Sequence, residues 1–204
     1  MIDIPTDLTP ELVPLSWLLG TWEGDGRLGE GESGSTPFRQ RASFTQIGLP
    51  FLWYTAESWL MDEDGTVLRP LTVETGFWSL DRALVDADGG PGLVPADIVP
   101  ALTSAEDVEK LRNADGGFDI TATIVHPGGI SELYYGQIKG PQIHLSTDLV
   151  MRGQHSRPYT AATRILGLVQ SDLLWRWDVA TDDASLAPHG SAILHKVSQE
   201  RRQA

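Results

Sequence analysis

Gly20-Thr21-Trp22-Glu23-Gly24-Asp25-Gly26 decides the fold. Alternate residues of a strand point to one face, so Gly20, Trp22, Gly24 and Gly26 share a face bearing one large ring and otherwise no side chains. Such a bare face lets another backbone or a flat ligand approach closely. The favoured reading is a strand that closes a barrel, its glycines allowing sharp curvature and Trp22 packing into the bottom or plugging it. Just before it, Leu15–Leu19 reads as a short helical turn with Leu15, Leu18 and Leu19 on one side. Residues 1–13 are a lead-in of acids and prolines with little periodicity.

Downstream, strand candidates are Phe38–Ile47, Phe51–Met61, Thr72–Leu80, Asp119–His126, Ile130–Gln137, Gln142–Thr147, Tyr159–Leu168, Leu173–Ala180 and Ser191–Val197. They are short, rich in β-branched and aromatic residues, and separated by Gly, Pro, Asn or Asp clusters. A mostly up-and-down order with short links favours a meander that closes on itself, which hides the edges of an open sheet. The expected fold is all-β: one antiparallel up-and-down barrel over a single domain, 1–204. Residues 85–117 interrupt it as a partly helical insertion. There Thr103 or Ser104 caps a short helix, Glu106 and Asp107 fall in its first turn, and Lys110 and Arg112 lie near its end. A solvated insertion is favoured over a lid.

Composition sets limits. With 204 residues, 41% of them hydrophobic, the chain can bury a sizeable core. The absence of cysteine excludes disulfides, iron–sulfur clusters and thiolate metal sites. A formal net charge of −13 argues against a nucleic-acid partner, which would need clustered Lys and Arg. No apolar run approaches the roughly 20 residues of a membrane helix, and the N-terminus has no signal-peptide pattern. A cytoplasmic protein is the expectation. The five histidines, His126, His144, His155, His189 and His195, form no HExxH pair, and no nucleophile elbow, Walker loop or dinucleotide fingerprint is present. Composition and spacing alone reach a soluble β-barrel with an internal cavity.

PLSWLLGTWEGDG (Pro14–Gly26) resembles the opening of the nitrobindin family, with its GxWxGxG signature. FTQIGLPFLWY (Phe44–Tyr54), ETGFWSL (Glu74–Leu80), HPGGISELYYG (His126–Gly136) and LAPHGSAIL (Leu186–Leu194) follow in family order. The resemblance implies a ten-stranded antiparallel barrel, similar in shape to lipocalins and fatty-acid-binding proteins, holding one haem b near its mouth. It further implies that the iron's axial ligand is the histidine of an LxPHxxAxL block, here His189. The implied activity is isomerisation of peroxynitrite to nitrate at ferric haem, with nitric oxide binding beside it.

Neutral imidazole suits that ligation, Pro188 would stiffen its approach, and Gly190 would let the backbone pass close to a porphyrin. The second ring nitrogen of His189 needs a partner, and a backbone carbonyl is expected. Two positions depart from the family: Gly190 replaces an apolar residue, and Pro158 stands where a haem-contacting Lys is usual. The adjacent Arg157 could supply that cation. His126 could face the open side of the haem, or be a solvent-exposed turn residue. Pro50, with Ile47, Leu49 and Phe51, resembles the family's loop over the distal side. Two other readings stay open. One is an apo carrier of a small apolar ligand, although no paired Arg and Tyr motif is evident in sequence. The other is a nitric oxide sensor that docks a partner on 85–117. Relatives' habits make a homodimer plausible.

Overall fold

The computed structural model describes residues 8–29, 35–85, 88 and 101–197. Ten antiparallel strands form a closed barrel. They are β1 (Gly20–Leu28), β2 (Thr36–Thr45), β3 (Leu52–Met61), β4 (Val67–Leu80), β5 (Phe118–His126), β6 (Ile130–Lys139), β7 (Gln142–Arg152), β8 (Ala161–Val169), β9 (Asp172–Thr181) and β10 (Ala184–Val197). Each pairs with its neighbour in sequence, and β1 meets β10 to close the ring. The all-β, up-and-down expectation holds. Three strands run well beyond their expected bounds: β4 starts at Val67, β7 continues to Arg152 and β10 starts at Ala184. Pro70 and Pro188, which read as breaks, lie inside strands beside register shifts. Proline is tolerated at such bulges because no ladder hydrogen bond is asked of it there.

The glycine-bearing face of β1 closes the barrel. A Cβ at Gly24 would lie 2.1 Å from the Ile193 carbonyl oxygen, and one at Gly26 would lie 2.5 Å from the Phe38 ring. No side chain fits, so β10 and β2 press directly against this strand. Trp22 is buried, and its indole N–H donates to the Leu18 carbonyl at 2.8 Å. That bond ties β1 to the preceding chain, which forms two 3₁₀ turns, Pro10–Leu12 and Ser16–Leu18. Leu12, Leu15, Trp17 and Leu18 are buried and plug this end of the barrel together with Phe44, Leu52, Trp78 and Leu80.

The insertion attaches at the same closed end. It leaves β4 after Leu80 and returns to β5 at Phe118, the two stems joined by Asp81 N–H donating to the Asp119 carbonyl at 2.8 Å. Ser104 caps α1 (Ala105–Glu109), its hydroxyl accepting from the Asp107 N–H at 3.2 Å. Val108 is buried, and α1 packs on the Pro10–Leu12 turn. Arg82 bridges the buried Glu11 and Asp88, at 3.1 and 2.6 Å. The described part of 85–117 is therefore no lid over the mouth; most of 86–100 lies outside the described residues.

Candidate functional site

Among the described residues the opposite end is open. Turns 62–66, 127–129, 153–160 and 182–183 rim it, and the ends of β5, β6, β9 and β10 form the wall. Between them lies a cup of about 500 Å³, the size of a small-molecule or cofactor pocket. Its wall is mainly apolar and aromatic, with Ile130, Pro158, Tyr159, Trp177 and Val179, and it includes His126, Arg157 and His189. Three residues singled out from sequence thus meet around one cavity.

A bulge brings His189 there. On β10, Gly190, Ala192 and Leu194 are buried, so strict alternation would send His189 outward. The pairing slips between Pro188↔Asp178 and Gly190↔Trp177, leaving His189 as the extra residue. A bulge re-aims a side chain, which is its common use near sites. The main chain stays anchored, because the Gly29 N–H donates to the His189 carbonyl at 2.8 Å. The imidazole remains exposed and stands nearly perpendicular to the Trp177 indole, 82° with centroids 4.8 Å apart. Burial against the cup lowers the His189 pKa, and the Arg164 charge lowers it further. Both effects favour the neutral imidazole that can ligate a metal. The expected backbone partner is not found: among the described residues neither ring nitrogen of His189 is hydrogen-bonded.

Beneath the cup lies a polar floor that sequence reasoning missed. Arg164 of β8, 7% exposed, grips Glu74 of β4 with two bonds of 2.9 Å. Glu132 of β6 accepts from the Tyr134 hydroxyl at 2.6 Å and from the Tyr159 hydroxyl, and sits 3.5 Å from Arg164. Tyr54 donates to Glu74. Burial pushes the Glu74 carboxyl up, yet the Arg164 guanidinium outweighs it and holds the pKa at about 2. Burial raises the Tyr134 and Tyr54 hydroxyls well above the usual phenol value, so they act as donors throughout the neutral range. The signal was the phase of the strands. Glu74 shares the inward face with Trp78, Glu132 with Tyr134, and Arg164 with Leu166.

The other expectations sort clearly. His126 is neither an exposed turn residue nor a free donor: it ends β5, stacks parallel to Trp177 at 5.7 Å, and engages Glu132 at 2.6 Å and Glu74 at 3.5 Å. Arg157 is exposed in the cup wall, with no ion pair among the described residues. Pro50 must be moved. The β2–β3 turn that carries it opens at the plugged end, so the loop 46–51 cannot cover the cup. Gly190 does not line the cup either; its inner side is filled by Leu28, 2.9 Å from where a Cβ would stand. Gly20, Trp22, Gly24 and Gly26 close the barrel and touch no part of the cavity. Trp175 and Trp177 alternate on β9 and both face inward. Trp175 bonds Gln40 at 2.8 Å, and Trp177 stands in the cup wall.

A closed β-barrel with an aromatic cup, one neutral-leaning histidine and one unpaired cation defines a protein that binds a small molecule or a planar cofactor at its mouth. The family model described as THAP4-like, haem-binding β-barrel domain matches residues 11–196, and the chain belongs to that family. It is 70% identical over 202 residues to a protein of Arthrobacter sp. (strain FB24) named peroxynitrite isomerase, covering 97% of this chain and 99% of the other. A Clavibacter michiganensis protein of the same name is 49% identical over 200 residues, covering 97% and 100%. Among solved structures, that of Rv2717c from M. tuberculosis superposes with a TM-score of 0.66 at 22% identity, over 96% of this chain and 100% of that one. The last likeness speaks to the fold alone.

Proposed function

We propose that this chain holds haem b in the cup through His189 and isomerises peroxynitrite to nitrate there. The carrying observation is the bulge at His189, which turns a neutral-leaning imidazole out of strand register into an aromatic cavity. The residues present fit the cofactor. Trp177, Tyr159, Ile130 and Val179 offer an apolar wall for a porphyrin. The unpaired Arg157 offers donors for its carboxylates. Bound haem would supply the iron at which peroxynitrite rearranges. His189 would hold that iron through an imidazole nitrogen, and the cup it lines is wide enough to admit a small anion beside it. Nitric oxide is the natural second ligand of the same site. The protein acts as a single cytoplasmic domain without nucleic-acid partners, alone or as a homodimer; among the described residues no helix is long and apolar enough to cross a membrane.

Purified protein titrated with hemin should develop a Soret band and accelerate peroxynitrite decay with nitrate as product. His189→Ala should lose the band while keeping the β-sheet circular dichroism of the parent. A variant with an unchanged Soret spectrum would remove His189 from the role.

A further inference from the structure

A metal-bound histidine is usually oriented by a hydrogen bond from its second ring nitrogen to a carboxylate or carbonyl. Among the described residues His189 has none, so something else must hold its plane. The ring in contact with it is Trp177, and Trp177 is itself unusually constrained. The Arg164 guanidinium lies over the indole, 4.6 Å from the ring centroid. Arg164 in turn cannot swing, because two bonds to Glu74 and one of 3.1 Å to the Tyr134 hydroxyl fix it from the far side. His126 stacks parallel to the same indole, and Tyr159 meets it edge-on with centroids 6.3 Å apart. The indole thus links a buried, immobile floor to the exposed imidazole.

We propose that Trp177 is the positioning residue of the axial ligand: its indole, pinned by Arg164, sets the plane of the His189 ring by aromatic packing in place of a hydrogen bond. The inference rests on the haem reading for its consequence, but the contact itself exists without cofactor. Packing of this kind is worth about 0.5–1.5 kcal/mol, enough to favour one ring orientation roughly two- to tenfold over others. It leaves the second nitrogen without a fixed acceptor, so the imidazole gains no anionic character from a partner.

The test uses Trp177→Phe, which keeps an aromatic ring, and Trp177→Leu, which does not. In cofactor-free protein, nitrogen relaxation of the His189 imidazole should report a restricted ring in the wild type and in the Phe variant, and a freely reorienting one in the Leu variant. With hemin, wild type and Trp177→Phe should give one ferric high-spin electron paramagnetic resonance species. Trp177→Leu should give a mixture and lose hemin two- to tenfold faster. Should Trp177→Leu fail to fold, Trp177→Met takes its place. An equally restricted ring and a single ferric species in the aliphatic variant would overturn the proposal. Failure of the wild type to bind hemin would sink the haem reading instead, and the relaxation measurement would still decide the contact.

Discussion

Replacing Glu74 by Gln tests the floor on which the cup rests. The carboxyl is held at about 2 in the folded chain against an ordinary 4.5. Its folded value is depressed, so the unfolded chain takes up the proton more readily. The stabilisation is therefore complete above about pH 4.5 and is lost as pH falls from there towards 2. A depression of that size is worth roughly 3 kcal/mol at neutral pH. A second route gives a similar figure, since breaking a buried ion pair from one side costs about 3–5 kcal/mol. The lower end applies here, because Gln keeps an acceptor for Tyr54 and Arg164 retains Glu132 at 3.5 Å. With a urea dependence of about 2 kcal/mol per molar, Glu74→Gln should unfold at about 1.5 M less urea than the parent at pH 7. The gap should close as both are measured at pH 4, 3 and 2.5, since Glu74 loses its stabilising charge in the parent while the carboxylates they share titrate alike in both. Equal midpoints at pH 7, or a gap that does not shrink with acid, would refute the assignment of Glu74 as an ionised partner of Arg164.

Two further expectations follow from the geometry. Gly24→Val sets a side chain against the Ile193 carbonyl, 2.1 Å from the added Cβ; overpacking of this kind costs about 1–3 kcal/mol or more. Circular dichroism melting should show a large fall in Tm or no cooperative transition, and a wild-type melt would mean the seam is not as tight as it stands. Arg157→Gln should leave urea stability within about 0.5 kcal/mol, because the side chain is exposed and unpaired, yet speed hemin loss roughly tenfold. Unchanged hemin loss in that variant would remove Arg157 from cofactor binding.

The barrel was legible because its seam is written in one strand: glycines at alternate positions with a single tryptophan admit few folds other than close backbone contact. The start of β10 was not legible. Pro188 and Gly190 are turn residues by composition, and that they sit within a strand is settled by the stretch of β9 they pair with, which local sequence does not encode. The inward turn of His189 is a consequence of that bulge, so the family likeness could point to the residue but not to how it is aimed. The floor was half legible. Charged residues on the inward phase of β4, β6 and β8 could have been noticed, but which pairs with which depends on barrel closure, and Arg164 and Glu74 are 90 residues apart.

The floor also separates the two ligand readings. A guanidinium flanked by tyrosine hydroxyls inside a barrel is a receptor for a carboxylate, and sequence alone gave no sign of one. The structure contains it, in Arg164 with Tyr54 and Tyr134, but Glu74 already occupies both donor arms. Below the floor lies a space of about 20 Å³, room for a water molecule and not for an acyl chain. A carrier of apolar acids would need that guanidinium free and the interior hollow; neither condition is met. An internal carboxylate in the ligand's place closes the barrel beneath the mouth, keeps the charge of Arg164 fixed against Trp177, and leaves the shallow cup as the one large cavity facing His189 among the described residues.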